Sequence, residues 1–229
     1  MNSVSLIEMA WPAASSPVVP GSLELEPHAE RARTVKRASN ETRIGSRYDT
    51  GIGLDFGVRL LTIGHGTRPA EELVETLRQA GAQTLVDVRR FPGSKRNPQF
   101  NQPALARALG DGGIAYRHAI ELGGRRSAEP GEERFDCVRV AAFRSYAARM
   151  ALPAWQEALA VALDEPGPCF MCAETDWRRC HRRLIADFLT ARGHEVVHLI
   201  RPGQKEAHVL FPDAEVRDGT LYLCGELVV

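Results

Sequence analysis

The chain has 229 residues, 44% of them hydrophobic and 25% charged, and its 29 cationic and 29 anionic side chains cancel to a formal net charge of zero. That length and apolar content suit one globular domain with an extension. The neutral balance excludes a global field drawing the protein to nucleic acid or membrane, and no apolar run approaches the roughly 18 residues of a spanning helix.

Residues 1–57 differ from the rest. Met1 to Gly21 is rich in Ser, Pro and Ala, and Arg31 to Arg47 carries six cations with few large apolar residues. Such a composition cannot bury enough surface to offset ordering entropy, so a disordered or low-complexity extension is expected over 1–57 and a single domain over 58–229. The start lacks the basic segment that opens a signal peptide. Five cysteines, an odd number, in a chain with a good core do not resemble a secreted disulfide framework. The expectation is a cytoplasmic protein with reduced thiols and no membrane partner.

From Val58 onward strands and helices alternate. Leu60 to Gly64 reads as an apolar strand ending in Gly64-His65-Gly66-Thr67. Pro69 opens a helix whose inner face is Leu73, Val74 and Leu77, and Gly81 stops it. Thr84 to Val88 is a second strand, closed by Asp87-Val88-Arg89-Arg90-Phe91-Pro92. A loop with Lys95, Arg96 and Asn97 leads to a helix over Pro103 to Leu109, then a strand over Ile114 to Arg117. Val138 to Leu163 reads as helical with a break at Pro153.

Cys169 to Cys172 is a short apolar strand, followed by the loop Ala173-Glu174-Thr175-Asp176-Trp177 and a helix opening on Cys180, His181 and Arg182. Leu184, Ile185, Phe188 and Leu189 give that helix one apolar face, Gly193 stops it, and Glu195 to Leu199 is the next strand. A hairpin through Val209-Leu210-Phe211 and Leu221-Tyr222-Leu223 closes the chain. This alternation predicts an α/β, Rossmann-like three-layer sandwich with a mainly parallel sheet. Ligands in such sheets bind at the carboxyl edge, where the reactive side chains gather.

Several blocks occur here in order: Thr62-Ile63-Gly64-His65; Leu85 to Arg89 with Pro92 and Ser94; Gly113 to Tyr116 with His118; Leu122-Gly123-Gly124; Cys172-Ala173-Glu174; and Cys180-His181-Arg182. Together they resemble the uncharacterised bacterial and archaeal family known as domain of unknown function 488. The resemblance implies an α/β sandwich and singles out His65, Asp87, Arg89, Cys172, Glu174, Cys180, His181 and Arg182. It implies no reaction.

The chemistry is therefore read from the side chains. A thiolate between a strand end and a helix N-terminus is stabilised by unpaired N–H groups, so Cys172 is expected to be the most reactive thiol, its pKa lowered by Arg178 and Arg182. His181 and Glu174 are candidates for acid–base roles, with Asp87 and His65 orienting them. Arg89, Arg178 and Arg182 suit an anion, and His65, Tyr116 and His118 are candidate substrate contacts. The expected partner is an anionic small molecule, a nucleotide or nucleic acid, since Arg125, Arg126 and Arg179 add to the local charge and Phe91, Phe100 and Trp177 offer stacking faces.

Three other readings stay open. The basic loops alone suit a non-catalytic nucleic-acid-binding module. The Asp87-Val88-Arg89 turn and the placing of Cys172 after a central strand, ahead of a loop and helix, resemble rhodanese-like sulfur transferases. Cys172 to Arg178 also has the Cys-x5-Arg spacing of phosphatase-type anion cradles, although Glu174 and Asp176 would repel an anion. A divalent metal held by His65, Glu174, Cys172 and His181 is a further option. A zinc on Cys169 and Cys172 is disfavoured, because positions three apart on a strand face opposite ways.

Overall fold

A computed structural model of the protein describes residues 57–124 and 127–229, so the expected extension up to residue 56 and the Arg125 and Arg126 cluster lie outside the described residues. Strand β1 (Arg59–Gly64) leads through helix α1 (Ala70–Gln79) to β2 (Thr84–Asp87), and α2 (Gln102–Asp111) leads to β3 (Ala115–His118). Helices α3 (Ala141–Met150) and α4 (Pro153–Leu163) precede β4 (Pro168–Cys172). Helix α5 (Arg182–Ala191) then runs to β5 (Glu195–Arg201) and β6 (Gln204–Ala207).

These strands form one sheet in the order β3-β2-β4-β1-β5-β6, parallel except for β6. Both β2 and β4 are buried along their whole length, as strands covered on two faces must be. Leu73, Leu77, Leu105 and Leu109 from α1 and α2 pack on Ile63, Leu85, Cys169 and Met171. On the opposite face, Tyr146, Trp155, Leu184 and Ile185 from α3, α4 and α5 pack on Val86, Phe170 and Cys172. The fold is thus the expected three-layer α/β sandwich, and Cys169 and Cys172 do point into opposite layers.

Neighbouring strands β1 and β4 send their connections in opposite directions, one to β2 and one to β5. The helices that follow them, α1 and α5, therefore cover opposite faces. This switch in winding sets a crevice at the carboxyl ends of the two strands.

The C-terminal hairpin differs from expectation. Strand β8 (Thr220–Leu223) pairs with β7 (Ala214–Arg217) and β9 (Glu226–Leu227), not with Val209 to Phe211. Phe211 donates its N–H to Asp187 Oδ1 at 3.0 Å and its ring lies under Arg183, so this apolar run is a connector pinned to α5. The turn is made by Asp218 and Gly219, at φ 49° and 76°, the pair that a two-residue hairpin loop demands.

Two thiols are also not free: Cys137 and Cys224, 87 residues apart, form a disulfide, which corrects the expectation of uniformly reduced cysteines. The spacing of Cys137 and Cys224 carried no sign of the pairing, because it is the folding of the β8–β9 loop against the chain before α3 that joins them. Among the described residues, no helix is long and apolar enough to cross a membrane.

Candidate functional site

Pairing between β1 and β4 continues past the strand ends, with His65 N–H on the Cys172 carbonyl and Gly66 N–H on the Ala173 carbonyl, both at 3.0 Å. The two loops cross so closely that a Cβ on Gly64 would lie 1.8 Å from the Glu174 carbonyl oxygen and 2.9 Å from Arg182 Nη1. Only glycine fits there. The crossing divides the expected site residues between two adjoining networks.

The first network sits at the ends of β2 and β3. Asp87 is fully buried and takes Arg89 Nε at 2.8 Å on one oxygen and Arg89 Nη2 at 2.5 Å on the other. The Tyr116 hydroxyl donates to the same carboxylate at 2.8 Å, and burial, then the Asp87 charge, pushes the Tyr116 phenol upward. Arg89 Nη1 donates to the Phe100 carbonyl at 2.9 Å and to His65 Nε2 at 3.2 Å. His118 donates to the Arg89 carbonyl at 2.8 Å. His65 stacks on Phe100, and burial pushes its pKa down to about 4, so its ring is neutral. Arg89 is consequently bound into a buried clamp with Asp87, and the clamp sets the shape of the loop after β2.

The second network joins β4 to α5. Cys172 and Cys180 are both buried and close enough to perturb each other's ionisation. Burial pushes the Cys172 thiol well up, and the neighbouring Cys180 pushes it further. Burial opposes ionisation of Cys180 as well. There, however, the neighbouring Cys172, the Arg182 charge and the Arg182 backbone N–H prevail, and the thiol is lowered. This corrects the expectation of a depressed Cys172: of the two thiols it is Cys180, at the helix N-terminus, whose ionisation the surroundings favour.

His181 donates from Nε2 to the Val88 carbonyl at 3.0 Å and presents Nδ1 to Cys180 Sγ at 3.5 Å. Burial lowers its pKa, which favours a neutral ring able to accept a proton. Arg182 is wholly buried; Nη2 donates to the Thr175 carbonyl at 2.8 Å, while Nε and Nη1 have no hydrogen-bond partner. Glu174 points its exposed side chain outward, and its carbonyl lies 3.6 Å from Cys172 Sγ. Arg178 lies apart from the thiols, over the Trp177 ring and paired with Glu206 at 3.0 Å.

A third buried chain was not anticipated from the sequence. Asp187 can only accept, so His208 Nε2 donates to it at 2.9 Å, His198 Nε2 donates to His208 Nδ1 at 3.0 Å, and the Thr62 hydroxyl donates to His198 Nδ1 at 2.6 Å. Trp177 stacks on His198 with ring centroids 4.1 Å apart, so the relay anchors the loop that carries the thiol corner. Burial, then the charges of His208 and Arg182, holds His198 down to about 2. Its one sequence signal was a lone His in an apolar strand.

Among the described residues no three His, Cys, Asp or Glu side chains converge as metal ligands. Comparison with curated proteins and with solved structures returned no match. A family model described as Domain of unknown function DUF488 matches residues 69–189, a stretch that begins just after His65 and contains both the Asp87–Arg89 clamp and the thiol corner. That match spans more than half of the 229 residues, and the chain belongs to this family.

Proposed function

We propose that the protein is an enzyme acting on an anionic substrate at the carboxyl edge of the sheet, with Cys180 as the reactive thiolate. In this reading neutral His181, whose Nδ1 faces Cys180 Sγ at 3.5 Å, takes the Cys180 proton and passes it to the substrate, while Cys172 keeps its own. Arg182 serves as counter-charge to both thiolate and anion.

The observation that carries the reading is the Arg182 guanidinium. A buried arginine is ordinarily matched by a carboxylate, because removing its charge from water is expensive. Arg182 has two unpartnered nitrogens and a thiol pair beside it instead. A cost kept at such a site is more readily explained by function than by stability. The Cys172 and Cys180 thiols are buried, so substrate reaches them by displacement of the exposed segment 173–176, whose Glu174 carbonyl lies against Cys172.

The test is turnover of a panel of mononucleotides and short oligonucleotides by the full chain and by Cys180→Ser. Activity that is lost in Cys180→Ser and falls strongly in Arg182→Met supports the reading, whereas activity retained in both removes it.

A second reading rests on the loop after β2, where Phe91 is 65% exposed beside exposed Lys95 and Arg96. Those groups suit a nucleic-acid-binding module that does no chemistry. Oligonucleotide binding that is indifferent to Cys180→Ser but weakened by Phe91→Ala, with no turnover, would favour it.

A further inference from the structure

On the other side of the crossed loops, between the chain after β1 and the end of β5, lies a cleft of about 560 Å³ lined in part by Thr67, Arg68, Glu72, Thr175 and Arg201. The Arg68 side chain is 8% exposed. Its Nε donates to the His65 carbonyl at 3.1 Å and its Nη2 to the Ile200 carbonyl at 2.7 Å, which aligns the guanidinium along the cleft. Arg68 Nη1 is buried without a hydrogen-bond partner, and Glu72, the carboxylate paired with it, stands off at 3.7 Å.

Arg182 lies behind the same wall. Its bonded nitrogen holds the carbonyl of Thr175, and its other two nitrogens lack partners. Arg68, Arg182 and Arg201 are near enough for the charges of the latter two to act on Arg68. Helix α1 begins at Ala70 with no side-chain cap, so its first-turn N–H groups add donors at this end.

Three cations and orphan donors against one loosely held carboxylate amount to an unfilled demand for acceptor oxygens. A carboxylate ligand offers two oxygens, whereas a phosphate group offers three and matches the planar fork of arginine. Glu72 is 38% exposed, free to turn to water when an anion enters. The volume is that of a site for a whole small molecule.

We infer that this cleft binds the phosphate group of a small phosphate monoester, seated on Arg68 and Arg201 at the start of α1. The inference rests on the reading that the carboxyl edge receives an anion, and it identifies that anion. The rest of the molecule would reach along the crossed loops toward the thiol corner.

The test is isothermal titration of the full chain with inorganic phosphate and with uridine 5′-monophosphate, in chloride buffers of matched ionic strength. Saturable binding of one equivalent is expected for each, the two competing. Arg201→Met removes an exposed side chain without disturbing the core, and it should weaken both by about tenfold or more, the loss of a charge-assisted pair. Arg59→Met, an exposed cation at the opposite end of β1, should bind as the parent does. Tighter binding of the mononucleotide points to a nucleotide as the source of the phosphate, and equal binding to a site that holds the phosphate alone. Absence of saturable binding by either probe, or affinities unchanged in Arg201→Met, overturns the inference. Cys180 alkylation in the same samples separates the two failures. A reactive Cys180 without phosphate binding leaves the thiol enzyme standing and removes the cleft, and phosphate binding beside an inert Cys180 does the reverse.

Discussion

Arg182→Met separates a residue kept for stability from one kept for function. Methionine keeps the apolar stem of the side chain as far as the position of Nε and removes the charged head. The change relieves two buried donors, Nε and Nη1, that have no acceptor. Each such orphan costs about 1–3 kcal/mol. Against this stands the loss of the hydrogen bond from Nη2 to the Thr175 carbonyl. That charged bond contributes about 1.5–3 kcal/mol. No carboxylate is left behind unpaired, and Cys180, ionised in the proposed mechanism, can take up a proton. The space left by the guanidinium head costs about 1 kcal/mol more. The balance is a stability unchanged or raised by about 1 kcal/mol, equivalent to roughly 2–4 °C for a domain of this size. Urea unfolding and differential scanning calorimetry at pH 7 measure it, with Cys180 alkylation followed in parallel. A loss greater than about 2 kcal/mol would refute the reasoning, since it would mean that the guanidinium is a satisfied structural group.

Acid should destabilise the protein well above the range of its carboxylates. His65 and His198 are pushed down by burial to about 4 and about 2. With folded values below the unfolded 6.5, their stabilisation is complete above pH 6.5 and is lost as pH falls, about 2 kcal/mol for each histidine by pH 5. Equal urea midpoints at pH 7 and pH 5 would contradict this. Asp87→Ala strands the buried Arg89 guanidinium and should cost about 3–5 kcal/mol, read by the same unfolding curves; a loss under 1 kcal/mol would mean that the clamp is dispensable. Thiol titration in denaturant without reductant should count three free thiols, Cys169, Cys172 and Cys180, and Cys137→Ser should lower stability by about 2–5 kcal/mol. A count of five would dissolve the disulfide.

The elements were readable where periodicity and Gly or Pro punctuation agreed, as in the Pro69 start and Gly81 stop of α1 or the apolar face of α5. Period-two alternation likewise put Cys169 and Cys172 in opposite layers. The misread hairpin came from weighing the apolar run Val209 to Phe211 above the Asp218-Gly219 turn, although the turn carries the stronger local signal. The site was readable as a set of residue types and a sheet edge. Which thiol meets the helix N-terminus depends on the path of the loop between Cys172 and Cys180, which spacing leaves open. Arg68 and Arg201 were invisible as a pair because the placing of β1 between β4 and β5 brings them together. The same holds for Thr62, His198, His208 and Asp187, which lie on separate elements and meet only once the layers are packed.

The central claim is that Cys180 carries a thiolate sustained by Cys172 and Arg182. Iodoacetamide labelling of the native chain from pH 5 to pH 10, read by peptide mass spectrometry, measures it directly. The account predicts that Cys180 is modified first among the three free thiols, with an apparent pKa below the ordinary 8.5 or so, and that Arg182→Met moves that pKa upward. Labelling of Cys172 ahead of Cys180, or a Cys180 profile identical in the parent and in Arg182→Met, would contradict it.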